Sequence, residues 1–315
     1  MSVNNQFKQR IAMVGLGDIA QKAYLPIISQ HLNIQPVLCS RNESTVKYLA
    51  DKYRISEVYT DYKRLLQSKP DAIMIHSATE SHYQLAKLAL EYKIPVYVDK
   101  PLSDNLQQVE SLIALAKQQN VLIYVGFNRR FAPLVQTISS SLSAMSNTNK
   151  SITLQKDRFN LPALASTFIY DDFIHVIDTV RYLERPNSGY PETIHVAAQF
   201  ELGLLANLQV SWQSQYNIVN ANMNRIAGVT QERLQVNCDG NSWQVDNLRE
   251  GHLYQQQKYS LLGFSDWENT LYKRGFVNLI DDWLKQLEIG CFNKEIAEDI
   301  LFTHKICDQV LGQLN

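Results

Sequence analysis

The hydrophobic positions of the first 126 residues alternate between short apolar runs and longer segments with helical spacing. Short runs rich in β-branched residues predict strands, whereas apolar residues three or four positions apart predict amphipathic helices. The predicted strands cover residues 11–14, 34–39, 58–59, 72–76, 96–98 and 121–126, with helices such as 19–31, 43–53, 81–92 and 106–119 between them. This alternation predicts a doubly wound parallel sheet.

The pattern changes after Gly126. A helix near residues 131–142 leads into a Ser- and Asn-rich segment, 140–150, which is typical of a loop. After a helix at 171–183, alternating segments follow one another without helices, which predicts an antiparallel sheet; they cover 193–200, 204–212, 217–226, 233–237, 243–246 and 255–259. Helices at 268–288 and 294–311 follow. We therefore expect an α/β domain over residues 1–126 and an α+β domain over residues 127–315.

The length of the chain supports this division into two domains, and its charge limits the classes of binding partner. A chain of 315 residues, 45% hydrophobic, exceeds what one core usually supports. Its 30 basic and 31 acidic residues give a net charge of −1, which argues against nucleic-acid and membrane partners. The four cysteines form no metal-binding pattern, and the apolar run 11–16 is too short for a signal peptide or a membrane span. We expect a cytoplasmic protein without a metal site.

The first predicted strand ends in the turn Gly15-Leu-Gly17-Asp18-Ile19-Ala20. In a G-x-G-x-x-A turn that opens a helix, the first glycine permits the tight turn and the second lets the backbone approach a pyrophosphate. We therefore expect Gly15, Gly17, Asp18 and Ile19 to bind a dinucleotide. The alternative is a glycine turn of another α/β protein, such as a methyltransferase.

The second predicted strand ends in Ser40 and Arg41, where NAD-binding proteins usually carry a carboxylate for the ribose hydroxyls. A guanidinium at this position suits the additional phosphate of NADP, so the sequence favours NADP(H) over NAD(H). The alternative is an ordinary helix start, capped by Ser40 or Asn42, with Arg41 in solvent.

Asp99, Lys100 and Pro101 follow the strand predicted at 96–98, at the sheet edge where open α/β sheets bind ligands. A lysine there can neutralise a developing alkoxide or exchange its proton, provided that its surroundings lower its pKa. The alternative is a surface lysine in a turn stiffened by proline.

Two further segments lie at predicted strand ends and complete the expected cofactor site. Ser77, Thr79 and His82 follow strand 72–76, where small hydroxyl side chains suit a ribose and a nicotinamide. Asn128 and Arg129 follow the last strand and offer an amide and a guanidinium. Each residue suits a loop cap or a surface ion pair equally well, and His82 suits a structural role better than a catalytic one.

The helix predicted at 171–183 carries a polar stripe of Asp171, His175, Asp178 and Tyr182 opposite an apolar face. An aspartate four residues before a histidine can orient the imidazole and favour its protonated form, so Asp171 and His175 are candidate catalytic residues. The alternative is the solvated side of an amphipathic helix.

The segments VGLGDIAQKAYLP, HSATESH, VYVDKPL, VGFNRRFAP and DDFIHVIDT, in this order and spacing, resemble the Gfo/Idh/MocA family of NAD(P)-dependent oxidoreductases and its MviM-type subgroup. The resemblance spans nearly the whole chain. It implies an NAD(P)-binding Rossmann domain followed by a substrate-binding and oligomerisation domain with a large, mostly antiparallel open sheet.

The resemblance also implies residue roles. The family's Glu-Lys-Pro motif falls on Asp99-Lys100-Pro101, and its Asp-x-Gly-x-His-x-x-Asp motif falls on Asp171, Phe173, His175 and Asp178. Lys100 and His175 thereby become the candidate catalytic residues, and Asp99 and Lys100 join the cofactor site. Asp99 is one methylene shorter than the usual Glu and Phe173 replaces the usual Gly, but neither change removes a proton-transfer group.

We therefore expect reversible hydride transfer between NADP(H) and a carbinol or carbonyl carbon of a sugar, a polyol or a related small molecule. A catalytically silent dinucleotide sensor or partner-binding protein is the alternative on the same fold, and a Rossmann methyltransferase is a remote one. A sheet with apolar outward residues would favour a homodimer or homotetramer. The sequence does not identify the substrate, because substrate specificity resides in loops of the second domain such as 157–168.

Overall fold

The structure is a computed structural model that describes residues 8–145, 148–184, 190–214 and 217–314. The chain divides into two compact units. Unit 1 comprises Met1–Gly126 and Ile280–Leu301, and unit 2 comprises Phe127–Leu279 and Phe302–Asn315. Ser146 and Asn147, within the loop predicted at 140–150, lie outside the described residues.

Unit 1 is built on a six-stranded parallel sheet, which confirms the predicted doubly wound architecture. Its strands are β1 (Gln9–Val14), β2 (Ile34–Cys39), β3 (Val58–Tyr59), β4 (Ala72–Ile75), β5 (Val96–Val98) and β6 (Ile123–Val125). The spatial order is β3-β2-β1-β4-β5-β6, so the winding direction reverses between β1 and β4. Ligands of such sheets bind beyond the carboxyl ends of the strands at this switch point.

Polar caps fix the starts of several helices in unit 1. Asn42, Asp61 and Asn105 accept hydrogen bonds from first-turn backbone N–H groups at 3.0 to 3.1 Å. The α-helices before residue 126 are α1 (Leu25–Ile28), α2 (Glu43–Tyr53), α3 (Tyr62–Gln67), α4 (Thr79–Glu91) and α5 (Leu106–Gln119). The hydrophobic pattern does not predict α3, because six residues are too few to show a helical period.

The segment after β1 departs from the single helix predicted at 19–31. Ala20–Tyr24 is π-helical, α1 follows, and the helix ends near Ser29. Pro26 has no backbone N–H and cannot complete the α-helical bond to the residue four positions earlier. A widened turn just before a proline is a known consequence of such a break.

Unit 2 contains an eight-stranded sheet, which confirms the predicted large and mostly antiparallel arrangement. Its strands are β7 (Lys150–Phe159), β8 (Ile194–Glu201), β9 (Leu204–Ser214), β10 (Asn217–Ala227), β11 (Gln231–Cys238), β12 (Asn241–Asp246), β13 (Glu250–Gln255) and β14 (Lys258–Leu262). Their order is β14-β13-β12-β11-β7-β10-β9-β8, and β7 runs parallel to β10.

Helices cover one face of this sheet. They are α6 (Pro133–Ser143), which contacts β12, and α8 (Ile174–Glu184), which packs on β7 and β10. The three-residue α7 (Ala165–Thr167) lies between β7 and α8 along the chain. A 3₁₀ segment, Asn128–Phe131, precedes α6, and a π-helical segment, Phe168–Phe173, precedes α8. The predicted helix at 171–183 therefore starts as a π-helix.

Strand β7 is not predicted, and it overlaps the loops predicted at 140–150 and 157–168 only at Lys150 and at residues 157–159. It lies between β11 and β10, near the middle of the sheet. Lys150 and Lys156 lie on its buried face, so the strand lacks the apolar alternation that would reveal it. A buried carboxylate compensates Lys156, as described below.

Two further predicted elements are interrupted. The strand predicted at 255–259 is a hairpin instead, because Gln256 and Gln257 adopt positive φ angles between β13 and β14. The helix predicted at 268–288 divides into α9 (Thr270–Lys273) and α10 (Phe276–Ile289) at Gly275, whose φ is 82°. The last helix is α11 (Lys294–Leu314).

Within the described ranges, no helix combines the length and apolarity needed to cross a bilayer.

Gly275 should tolerate no side chain. A Cβ there would lie 2.6 Å from the carbonyl carbon of Phe131, and its positive φ disfavours other residues. We expect Gly275→Ala to lower the free energy of unfolding by about 1–3 kcal/mol. Urea unfolding followed by circular dichroism measures the change. The control is Gly312→Ala in α11, where a Cβ meets no atom within 4 Å and alanine should stabilise the helix; equal effects of both substitutions would contradict the explanation.

Candidate functional site

The glycine turn after β1 packs tightly against the end of β4. Gly15 has a φ of 84°, and a Cβ there would lie 2.6 Å from the backbone nitrogen of Ser77. The Gly15 N–H donates to the carbonyl of Cys39 at the end of β2, over 3.1 Å. The turn is thus held by backbone contacts to both neighbouring strands.

Gly17 faces open space instead. A Cβ at this position would meet no atom within 4 Å, and Asp18 and Ile19 are exposed beside it. The side chain of Asp18 pairs with Lys22 at 2.8 Å, which leaves the backbone of the turn accessible. The helix begins at Ala20. This arrangement fits a dinucleotide whose pyrophosphate lies against the backbone at the helix start.

The end of β2 presents an accessible guanidinium. Arg41 is exposed, and no ion pair involves it within the described part of the chain. Asn42 caps α2 by accepting the Thr45 N–H at 3.1 Å, and the Ser40 hydroxyl accepts the Asn42 N–H at 3.3 Å. The predicted helix cap is therefore Asn42, and it leaves Arg41 available.

Three predicted site residues follow β4, and they differ in how far their side chains are buried and hydrogen-bonded within the protein. Ser77 is half-buried and its hydroxyl accepts from Ser81 at 2.7 Å, while Thr79 begins α4. His82 is buried, with Nδ1 2.7 Å from the carbonyl of Pro101 and Nε2 2.9 Å from the carbonyl of Ser77. Both ring nitrogens thus face backbone acceptors. The ring thus links two strand-end loops, and the place of His82 in the cofactor site stays a prediction.

A hydrogen-bonded tyrosine pair supports Asp99 at the end of β5. The Tyr24 hydroxyl donates to Asp99 Oδ1 at 3.1 Å and lies 2.8 Å from the Tyr97 hydroxyl. Burial, and then the Asp99 charge, raises the pKa of both phenols well above its usual value, so both stay protonated. Burial raises the pKa of Asp99, and the charge of Lys100 beside it opposes that rise only in part. Lys100 itself is half-buried.

The sequence patterns do not single out Tyr24, Tyr97 or His76. The His76 ring lies 4.1 Å from that of Tyr24, centroid to centroid, and burial followed by the charge of His82 lowers its pKa to about 3. Neither ring nitrogen of His76 has a hydrogen-bond partner among the described residues. A tyrosine in a strand buried on both faces needs a polar partner, and that requirement was the available clue to this cluster.

In unit 2, the predicted polar stripe separates into exposed and buried positions. Asp171 is exposed in the π-helical segment, and His175 is half-buried in the first turn of α8. Asp178 is only 1% exposed; Arg130 pairs with it through two nitrogens, and the Thr303 hydroxyl donates to it at 3.1 Å. The stripe is therefore not a solvated helix face, and Asp178 anchors the helix.

Asn128 and Arg129 also have structural partners, and their place in the cofactor site stays a prediction. Both belong to unit 2 and are buried. The Asn128 amide donates to the carbonyl of Arg274 at 2.8 Å. Arg129 donates to both carboxylate oxygens of Glu232, at 2.8 and 2.9 Å. The partners lie more than 100 residues away along the chain, so local sequence could not reveal them.

Asp172 is a buried charge centre that the sequence patterns do not identify. It pairs with Lys156, with Arg158 at 2.8 Å and with Arg225 at 3.1 Å. Burial alone would raise the pKa of its carboxyl, but the charges and hydrogen bonds of Lys156 and Arg158 outweigh burial and hold that pKa far below its usual range. Asp172 thereby ties the segment that carries Asp171 and His175 to the sheet.

Two family models match the chain. The model described as the oxidoreductase family, NAD-binding Rossmann fold, matches residues 9–127, and the YceM-like C-terminal domain matches residues 133–256. YceM of Salmonella typhimurium, named as an oxidoreductase, is 32% identical over 303 residues, which cover 95% of this chain and 96% of YceM. Myo-inositol 2-dehydrogenase of Thermotoga maritima is 30% identical over 125 residues, 39% of this chain and 37% of that enzyme.

Solved structures agree over the full length. A Gfo/Idh/MocA family oxidoreductase from Vibrio cholerae is 38% identical with a TM-score of 0.90, and the match covers 98% of this chain and 99% of that one. A dehydrogenase from Clostridium difficile named MviM is 28% identical with a TM-score of 0.87, covering 97% and 99%. The latter name agrees with the expected subgroup. The chain therefore belongs to the Gfo/Idh/MocA family of NAD(P)-binding oxidoreductases.

Proposed function

We propose that this oxidoreductase transfers a hydride reversibly between NADP(H) and a carbinol or carbonyl carbon of a sugar, a polyol or a related hydroxylated metabolite. The observation that carries the proposal is the glycine turn, in which Ser77 excludes a side chain at Gly15 while open space surrounds Gly17. A pyrophosphate needs this close approach to the backbone. When bound, the nicotinamide supplies or accepts the hydride.

A relative named for its substrate supports the proposed substrate class. Myo-inositol 2-dehydrogenase, which resembles the Rossmann segment of this chain, is named for a polyol substrate. In the oxidative direction, the carbinol C–H bond breaks and its electron pair moves as a hydride to nicotinamide C4. The O–H bond also breaks and a C=O bond forms, so the carbon loses two electrons and one proton must pass to the protein.

We assign the proton-transfer steps to two residues. Lys100 stabilises the alkoxide and accepts or returns its proton, and His175 acts as a general acid or base or hydrogen-bonds the reacting oxygen. Asp171 orients His175.

Asp99 and Lys100 also contribute to the cofactor site. The other proposed members of that site are Gly15, Gly17, Asp18, Ile19, Ser40, Arg41, Ser77 and Thr79. The Tyr24 hydrogen bond to Asp99 supports this role, because it fixes a carboxylate that is one methylene shorter than the usual Glu.

Replacing either proton-transfer residue should reduce turnover. We expect Lys100→Ala and His175→Asn each to lower kcat by about 10²–10⁴-fold, because removing a general acid or base has effects of this size. The measurement follows nicotinamide absorbance with a panel of aldoses, ketoses and inositols. Asp171→Asn should lower kcat by a smaller factor than either of these substitutions and should shift the pH dependence of kcat.

The matched controls are Lys117→Ala on α5 and His195→Asn on β8, both exposed residues outside the proposed site. Both should retain wild-type turnover. If Lys100→Ala and His175→Asn also retained it with a verified substrate, the assignment would be wrong. Dinucleotide binding without turnover of any substrate in the panel would favour the sensor function.

The exposed Arg41 supports the preference for NADP(H). A guanidinium can bind the 2′-phosphate through two parallel hydrogen bonds, and hydrogen bonds to charged groups contribute about 1.5–3 kcal/mol. We expect Arg41→Ala to raise the Kd for NADPH by roughly tenfold or more and to leave the Kd for NADH nearly unchanged. Fluorescence titration measures both constants, with exposed Arg64→Ala as the control. An unchanged NADPH preference would remove Arg41 from the site.

We also propose a homodimer or homotetramer that forms through the open face of the unit 2 sheet. The outward positions of β10 carry an exposed isoleucine near each end, Ile218 and Ile226, and three asparagines between them, Asn220, Asn222 and Asn224. The face is thus more amide-rich than the expected apolar one. Amide side chains can pair across a twofold axis, where each copy presents the same surface. Multi-angle light scattering should give a mass above 36.1 kDa, and a single-chain mass would refute the assembly.

A further inference from the structure

A cavity of about 250 Å³ in unit 2 is lined by an excess of basic side chains. It lies among the carboxyl end of β7, the start of β11, the turn after β12 and Arg274 at the break between α9 and α10. We call it the arginine cavity and define it by Arg129, Lys156, Arg158, Arg249 and Arg274. Two carboxylates, those of Asp157 and Glu232, also line it.

The carboxylates of this region already have partners. Arg129 binds both oxygens of Glu232, and Asp172 beneath the cavity pairs with Lys156 and Arg158. The remaining acid, Asp157, accepts from the amides of Gln155 and Gln231. The internal acceptors are therefore committed, and the cavity keeps an uncompensated positive charge.

Arg249 and Arg274 provide that charge at the cavity mouth. Both are exposed, and among residues 148–184, 190–214 and 217–314 neither forms an ion pair with a carboxylate. The backbone of Arg274 is fixed, because its carbonyl accepts from the buried Asn128 amide at 2.8 Å. A guanidinium on a fixed backbone with no internal partner is suited to a planar or tetrahedral oxyanion.

The electrostatics agree with this geometry. Burial, and then the charge of Arg129, lowers the pKa of Lys156 to about 7, although Asp172 and Glu232 oppose the change. Partial burial, followed by the charges of Arg129, Arg249 and Arg158, also lowers the pKa of Arg274. The cations thus repel one another, and a bound anion would relieve this repulsion.

We propose that the arginine cavity binds an oxyanion group of the substrate, a carboxylate or a phosphate, through Arg249 and Arg274. The inference rests on the proposed function and narrows its substrates to sugar acids or sugar phosphates. Asp172 connects the cavity to the candidate catalytic segment, because it pairs with Lys156 and Arg158 and precedes His175 by three residues. The cavity that would bind the anionic group is therefore linked through Asp172 to the segment that carries His175.

The binding test uses the full chain saturated with NADPH and two probes, inorganic phosphate and malonate, in isothermal titration calorimetry. We expect at least one probe to bind, and its Kd to rise at least tenfold in the double variant Arg249→Gln/Arg274→Gln. Arg233→Gln is the control, since it removes one positive charge from β11 outside the cavity and should change the Kd less than twofold. Binding of phosphate alone indicates sugar phosphates, and binding of malonate alone indicates sugar acids.

A kinetic arm separates this inference from the proposed function. For paired anionic and neutral sugars, the ratio of their kcat/KM values should fall at least tenfold in the double variant. If neither probe binds the wild type, or if the double variant binds the probe as tightly as the wild type does, the anion site is refuted. Turnover of anionic sugars that the double substitution leaves unchanged refutes the anion site while the proposed function stands. Anion binding at Arg249 and Arg274 without turnover of any sugar refutes the proposed function and leaves the anion site in place.

Discussion

The contact between the glycine turn and the backbone of Ser77 is the constraint on which the candidate cofactor site depends. A side chain at Gly15 would collide with the backbone of His76 and Ser77 just after β4, so the turn can lie against that backbone only with glycine there. The turn lies at the switch point of the parallel sheet, and Gly17 within it faces open space. Asp99 follows β5, the next strand along, where the Tyr24 hydroxyl from the segment after the turn reaches it.

Unit 2 depends instead on buried charge. Asp172, Lys156 and Arg225 are each at most 5% exposed. Lys156 and Arg225 both pair with Asp172, which fixes the π-helical segment before α8 to β7 and β10. Removing one member of such a cluster typically costs about 3–5 kcal/mol, because its partner remains buried and uncompensated. The π-helical geometry is common at functional sites, and here it carries Asp171 close to His175 along the chain.

The sequence predicts features that arise from local patterns. The parallel sheet, the bounds of α2 and α5 and the glycine turn all follow from short-range periodicity or a contiguous motif. Strand β7 does not, because its buried face carries Lys150 and Lys156 and resembles a polar loop until Asp172 is in place. The sequence also does not predict the partners of Arg129 and His82, because Glu232 and the Pro101 carbonyl approach these side chains only in the folded chain.

The most direct test of hydride transfer follows an isotope. The protein is incubated with NADPH deuterated at the transferable position of C4 and with a carbonyl substrate from the panel, and the product is examined by mass spectrometry and NMR. We predict one deuterium on the new carbinol carbon and slower turnover than with unlabelled NADPH. Dinucleotide binding in which no carbonyl compound of the panel acquires the label would contradict the account.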